Sequence, residues 1–184
     1  MSPDWPLETT RLTLRPFVES DFDAVYAMRS DPAVVLYLYQ GPLSPDETWN
    51  RLERNMALSA WTAEGDWLSV AVVERATGLT VGDLAFHWVS ERDRTAEVGF
   101  VFDSRHQGKG FATEAARALL EWAFGSAGFH RVIGRTEARN AASARVLEKL
   151  GMRLEAHFVE NEWVKGEWQS ELVYAILDRE WSGL

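Results

Sequence analysis

Arg105-His106-Gln107-Gly108-Lys109-Gly110-Phe111-Ala112-Thr113-Glu114 reads as a glycine-punctuated loop that runs into a helix. From Ala112 the apolar residues recur at Ala115, Ala116, Leu119, Leu120 and Ala123, the i, i+3, i+4, i+7 stripe of an amphipathic helix. Ahead of the loop, Ala96 to Phe102 reads as a strand. Glycines at 108 and 110 allow a sharp bend and bring backbone amides close to a ligand. The first turn of a helix has N–H groups without acceptors and the positive end of the dipole, so this element suits a phosphate or pyrophosphate. A tight turn with no ligand is the competing reading of a lone Gly-x-Gly. No Gly-Lys-Ser/Thr follows at the spacing of a Walker A loop.

The rest of the chain frames that element. Its 184 residues make one domain, 1–184, and 46% hydrophobic content suffices for a core. Nine Trp and nine Phe belong mostly to core or cleft lining. Without Cys, disulfides, thiolate metal sites and Cys nucleophiles are excluded. Met1-Ser2-Pro3-Asp4-Trp5 has neither a basic nor an apolar leader region, and no run of eighteen apolar residues occurs; the expectation is a soluble cytoplasmic protein with no membrane partner. The formal charge of -9 argues against duplex nucleic acid. It suits a cationic amine as well as it suits mere solubility.

Arg11 to Arg15 alternates as a half-buried strand does. Ser20 with Asp23 reads as the start of a helix broken at Asp31-Pro32, and Ser44-Pro45-Asp46-Glu47 as the start of a second. The second helix would carry an apolar face of Trp49, Leu52, Met56 and Ala60. Strands are expected over Trp67 to Glu74, Val81 to Val89, and Val132 to Thr136. Ala141 to Leu150 is a short helix stopped by Gly151. Phe158 to Val164 and Leu172 to Leu177 form a terminal hairpin around Lys165-Gly166. The order implies an α/β or α+β domain around a mixed sheet.

Two spaced motifs sharpen the reading. Gln107-x-x-Gly110-x-Ala112 resembles the Gln/Arg-x-x-Gly-x-Gly/Ala signature of the Gcn5-related N-acetyltransferase (GNAT) superfamily. Asn140-Ala141-Ala142-Ser143, followed by Leu147-Glu148-Lys149-Leu150-Gly151-Met152, resembles its second coenzyme-contacting segment. Thr10 to Pro16, Tyr174-Ala175-Ile176 and Glu180-Trp181 are similar to the ribosomal-protein N-acetyltransferase (RimJ/RimL-like) branch. The resemblance implies a single-domain, mostly antiparallel central sheet flanked by helices. It also implies acetyl-CoA as cosubstrate, an amine acceptor (a small molecule or a protein N-terminus), no metal, and leaves a homodimer open.

Acetyl transfer requires that the coenzyme be gripped, the thioester polarised, the ammonium deprotonated and the thiolate protonated. By the resemblance, the amides of Gln107, Gly108, Lys109, Gly110, Phe111 and Ala112 hold the pyrophosphate, and the backbone of Phe100, Val101 and Phe102 meets the pantetheine arm. A backbone amide aimed at the thioester oxygen is worth ~3 kcal/mol as an oxyanion donor. Asn140 is competent as a helix N-cap, and the resemblance implies a coenzyme contact there; the two roles are compatible. Alternation on its strand favours Glu97 as general base. The family's other carboxylate position is Arg135 here, with Glu137 in reserve or a water chain with no single base. Many members carry a Tyr seven residues after the Asn; this position is Leu147, so Ser143 on the adjacent turn is the candidate acid. Glu160, Glu162, Glu167 and Glu171, with Trp163 and Trp168, are candidates to line an acceptor site. His87, His106, His130 and His157 have no metal-ligand spacing, and no Gly-x-Ser-x-Gly elbow occurs. A non-catalytic acyl-CoA-binding module and a nucleotide-phosphate binder are the rival readings.

Overall fold

Leu12 and Leu14 are fully buried and alternate with the partly exposed Thr13 and Arg15, so strand β2 (Leu12–Pro16) presents its leucines to a core on one face. In the computed structural model, which describes residues 1–181, β2 belongs to a single eight-stranded sheet. Residues 182–184 of the expected span lie outside the described residues. The strands are β1 (Leu7–Glu8), β2, β3 (Trp67–Glu74), β4 (Thr80–Ser90), β5 (Thr95–Phe102), β6 (Arg131–Glu137), β7 (Arg153–Val164) and β8 (Glu167–Leu177). They lie in the order β1-β2-β3-β4-β5-β6-β8-β7. Only β5 and β6 run parallel; every other neighbouring pair is antiparallel. The mixed, mostly antiparallel sheet is thus as expected.

Helices cover the two faces unequally. On one face α4 (Phe111–Phe124) and α5 (Ala141–Lys149) bury Ala115, Leu119, Leu120 and Leu147 against Leu12, Leu14, Val70, Leu84 and Val98. Trp61 anchors that core, stacked on Phe86 at 5.1 Å with Trp122 and Phe129 at 5.5 and 5.4 Å. On the other face α1 (Phe22–Ser30) and α3 (Pro45–Ala57) bury a smaller cluster of Phe17, Val25, Met28, Leu52 and Ala71. A four-residue helix α2 (Pro32–Val35) follows α1. Ser44 and Glu47 form the reciprocal capping box that starts α3. Gly151, at φ +82, closes α5: its N–H reaches the Glu148 carbonyl while that of Met152 reaches Leu147.

Three local expectations are corrected. Ser20 does not cap α1. A short 3₁₀ turn, Glu19–Asp21, precedes the helix. Asp21 is buried, accepting from Arg15, Thr80 and the Val18 amide; these bonds move the helix start to Phe22. In α3, Trp49 is half-exposed against Phe22, Ala60 lies past the helix end, and Thr48 and Asn55 are buried beside Leu52. The terminal hairpin starts at Arg153 and Glu167 rather than at Phe158 and Leu172. A register shift between Phe158 and Glu162, with Glu160 at φ +50, breaks the alternation that marks a strand.

Gly82 fixes the seat of Phe102 at the end of β5, since a Cβ there would sit 2.5 Å from the Phe102 ring. Gly82→Ala should lower the urea midpoint, with a loss of about 1–3 kcal/mol from overpacking and an unchanged slope. Gly41→Ala, which meets nothing within 4 Å, is the control and should leave the midpoint where it is.

Candidate active site

Hydrogen bonding between β5 and β6 stops at Glu97↔Ile133. Beyond it β5 stays paired with β4 as far as Phe102, and β6 with β8 as far as Glu137. The two central strands therefore part. From Val98 to Phe102 one edge of β5 has alternate N–H and C=O groups with no strand opposite them. A cleft of about 310 Å³ occupies the opening. Glu97, Phe100, Val101, Asn140 and Ser143 all line it. Phe102 does not: its ring is buried, and its carbonyl accepts from the Gln107 side chain at 2.9 Å. Gln107 thus ties the loop to the strand through its amide group.

Beyond β5 the chain turns through Ser104–His106. Asp103, buried, accepts from the Arg105 backbone and guanidinium, which hold its carboxyl down at about 2. Gly108 and Gly110 have φ +74 and +82, and α4 begins at Phe111. Both glycines are exposed and a Cβ at 108 would meet nothing. The amides around them are thereby approachable from solvent. Phe111 itself is buried, so only its amide can face a ligand. Arg11 reads in the sequence only as part of the opening strand, yet it braces the loop. It donates to the Lys109 carbonyl at 3.0 Å, lies 4.7 Å over the Phe111 ring and pairs with Glu114. The signal, an arginine just ahead of β2, gives no hint of a partner about a hundred residues away.

Asn140 caps α5 with its Oδ1, accepting from the Ser143 amide at 3.1 Å. The cap uses the oxygen and leaves the side-chain NH₂ to donate elsewhere. Leu147 is buried and packs on Gly134, where a Cβ would lie 2.5 Å from its Cδ2. Position 147 therefore faces the core, and the hydroxyl on this helix that lines the cleft is that of Ser143.

Glu97 is only partly exposed, and burial pushes its carboxyl above the usual glutamate range. Arg135, 3.3 Å away, pulls it down, while Glu171 pushes it up. Arg135 also reaches Glu171 at 3.1 Å. The reserve carboxylate, Glu137, lines the same cleft but spends both oxygens on Arg139, on its amide and its Nε, each at 2.8 Å. Of the four hairpin glutamates, Glu162 and Glu171 line the cleft, and Tyr39 donates to Glu162 at 2.9 Å. Glu167 turns to Arg139, and Glu160 does not line the cleft. Trp163 and Trp168 are exposed and pack edge-on against each other rather than against the cleft. Trp67, stacked on His87 at 4.3 Å, does line it. No His, Asp and Glu cluster able to hold a metal occurs among the described residues.

The sequence profile of the acetyltransferase (GNAT) domain matches residues 11–153. The chain belongs to the GNAT acetyltransferase family. It is 33% identical over 176 residues to YnaD of Bacillus subtilis (strain 168), described as an uncharacterized N-acetyltransferase, covering 96% of this chain and 99% of that one. The crystal structure of a GNAT-family acetyltransferase from Bacillus anthracis superposes with a TM-score of 0.85 at 33% identity, over 95% and 99% of the two chains. RimL, a ribosomal L7/L12 α-N-protein acetyltransferase in complex with coenzyme A, shares the fold at a TM-score of 0.79 and 21% identity, over 94% and 97%. The GNAT family comprises acetyltransferases that draw the acetyl group from acetyl-CoA, and the two segments that resemble its motifs are the glycine loop ahead of α4 and the stretch that forms α5. No helix among the described residues is long and apolar enough to cross a membrane.

Gly110 is the residue on which the loop conformation turns. A β-branched side chain at φ +82 is strained by more than the roughly 1–2 kcal/mol of an ordinary residue. Gly110→Val should leave a folded protein whose calorimetric titration with coenzyme A shows no binding. Retained affinity in the folded variant would remove the phosphate assignment from this loop.

Proposed function

We propose that this enzyme acetylates a primary amine, of a small molecule or a protein N-terminus, by direct attack on acetyl-CoA within a ternary complex. The observation that carries the reading is the position of Glu97. It is the last residue of β5 paired with β6, where the strands part, in the cleft that also holds Asn140 and Ser143. Glu97, Glu137, Glu162 and Glu171 line this region around the guanidinium of Arg135, and Glu137 is held by Arg139. Such a wall favours an ammonium group.

The open edge of β5 suits the pantetheine arm, which carries amides of its own, and the loop amides of residues 107–112 suit the pyrophosphate. Glu97 takes a proton from the bound ammonium, directly or through water. The freed nitrogen attacks the thioester carbon, and a β5 amide meets the charge that develops on oxygen. The C–S bond then breaks, giving the acetamide and the thiolate. The nitrogen gives up its second proton as the adduct collapses, Ser143 relays a proton from it or from water to sulfur, and a thiolate is a good enough leaving group near pH 8 for a weak donor to serve.

A general base works deprotonated, so turnover falls as pH drops through its pKa. Because burial raises that of Glu97, the acidic limb of kcat/KM should lie above the ordinary glutamate range. Glu97→Gln should cut turnover by roughly 10²-fold or more, leave coenzyme affinity intact, and recover partly at high pH as free amine accumulates. Near-normal turnover would pass the role to Glu137 or to a water chain.

Ser143→Ala should lower kcat with little change in coenzyme affinity. If kcat is unchanged, solvent protonates the thiolate.

A further inference from the structure

The cleft has a second wall that acetyl transfer alone does not use. Arg29 of α1 and Arg51 of α3 reach into it beside Asp83 of β4. Arg29 is 4% exposed and its Nη2 is bonded to Asp83. Its Nε is buried with no hydrogen-bond partner, as is the Nε of Arg51. Among the described residues Arg51 pairs with no carboxylate. Burial lowers its pKa, and the neighbouring Arg29 and Arg54 lower it further while Asp83 raises it. An arginine nevertheless stays charged. On this wall of the cleft two guanidiniums thus stand against one carboxylate, Asp83.

A purely structural pair would stop at Arg29 and Asp83, whose charges offset each other. A further cation taken out of water without a counter-ion is a net cost. The buried stripe of α3 runs through Thr48, Leu52 and Asn55, so packing alone gives no reason for a charge at 51. The coenzyme phosphates do not supply the missing anion. Their loop opens α4, which packs on the opposite face of the sheet from α1 and α3.

We propose that Arg29 and Arg51 form a carboxylate subsite in the acceptor cleft, so that the acceptor is an amine that also bears a carboxylate. This rests on the transferase reading above and narrows its substrate. The acidic wall of Glu97, Glu162 and Glu171 takes the ammonium end, and the guanidinium forks take the carboxylate, whose planar geometry they match. A free amino acid and a peptide N-terminus with an acidic side chain present the same pair of charges.

Acceptors matched in length separate these sources. The small-molecule arm compares 4-aminobutyrate and 6-aminohexanoate with butylamine and hexylamine; the peptide arm compares Ser-Asp-Phe amide with Ser-Asn-Phe amide. In at least one arm the carboxylate-bearing member should be preferred tenfold or more in kcat/KM. Arg51→Met should bring this ratio toward one, and Arg51→Lys should keep part of it. Circular-dichroism melting and coenzyme affinity establish that each variant is folded. No preference in either arm, or an equal loss for both members in Arg51→Met, overturns the subsite.

If nothing is acetylated although acetyl-CoA binds, the transferase reading fails separately. Calorimetric titration of the coenzyme A complex with 6-aminohexanoate, hexylamine and both peptides then decides the subsite. Binding confined to the carboxylate-bearing probes and lost in Arg51→Met supports it; equal binding or none overturns it.

Discussion

The parting of β5 from β6 after Glu97 is the constraint on which the rest of the molecule depends. Parallel pairing brings the strands together for three residues, Thr95 to Glu97 against Arg131 to Ile133. Beyond that each follows its other neighbour. Beyond that point Leu147 of α5 packs onto Gly134 of β6, and Phe102 of β5 is seated on Gly82 of β4. Glycine at both places lets bulky side chains approach the backbone. A gap in the middle of a sheet is costly unless something polar fills it, and the gap is where the candidate chemistry collects.

The uneven cover of the sheet complements this gap. One face carries nearly all the apolar burial, with α4 and α5 over a continuous core anchored by Trp61. The other has a small patch under α1 and α3, leaving the strand surface that bears Asp83, Glu97 and Arg135 open to a cleft. Within the cleft Arg29 and Arg51 come from α1 and α3 beside Asp83 of β4, whereas Arg135 of β6 lies among the glutamates of β5, β6, β7 and β8.

Local features of this arrangement could be read along the chain. The 3.6-residue stripe gave α4, Asn140 and Gly151 bracketed α5, and the glycines at 108 and 110 required the positive φ they have. Glu97 could be placed because strand alternation needs no partner to be counted. What escaped depends on tertiary contacts. Asp21 serves Arg15 and Thr80 rather than a helix end, and no local rule weighs a contact fifty-nine residues away. The bulge in β7 removes the period of two on which strand detection relies. Arg29 and Arg51 look like ordinary surface positions on polar helices until the sheet is laid beneath them. Leu147 could be seen to lack a hydroxyl, but its direction into the core needed Gly134 across from it.

The unpaired edge of β5 has one further consequence. An exposed strand edge invites pairing with another chain, and here that edge lies inside the molecule, within a narrow cleft. What enters it must be a thin extended chain rather than a protein strand with neighbours of its own. A ligand that lends its amides to this edge completes the sheet and binds only the folded state, so it adds RT ln(1 + [L]/Kd) to the folding free energy. The resistance of this protein to unfolding and proteolysis would then track the supply of its cosubstrate, making its persistence in solution a readout of ligand occupancy.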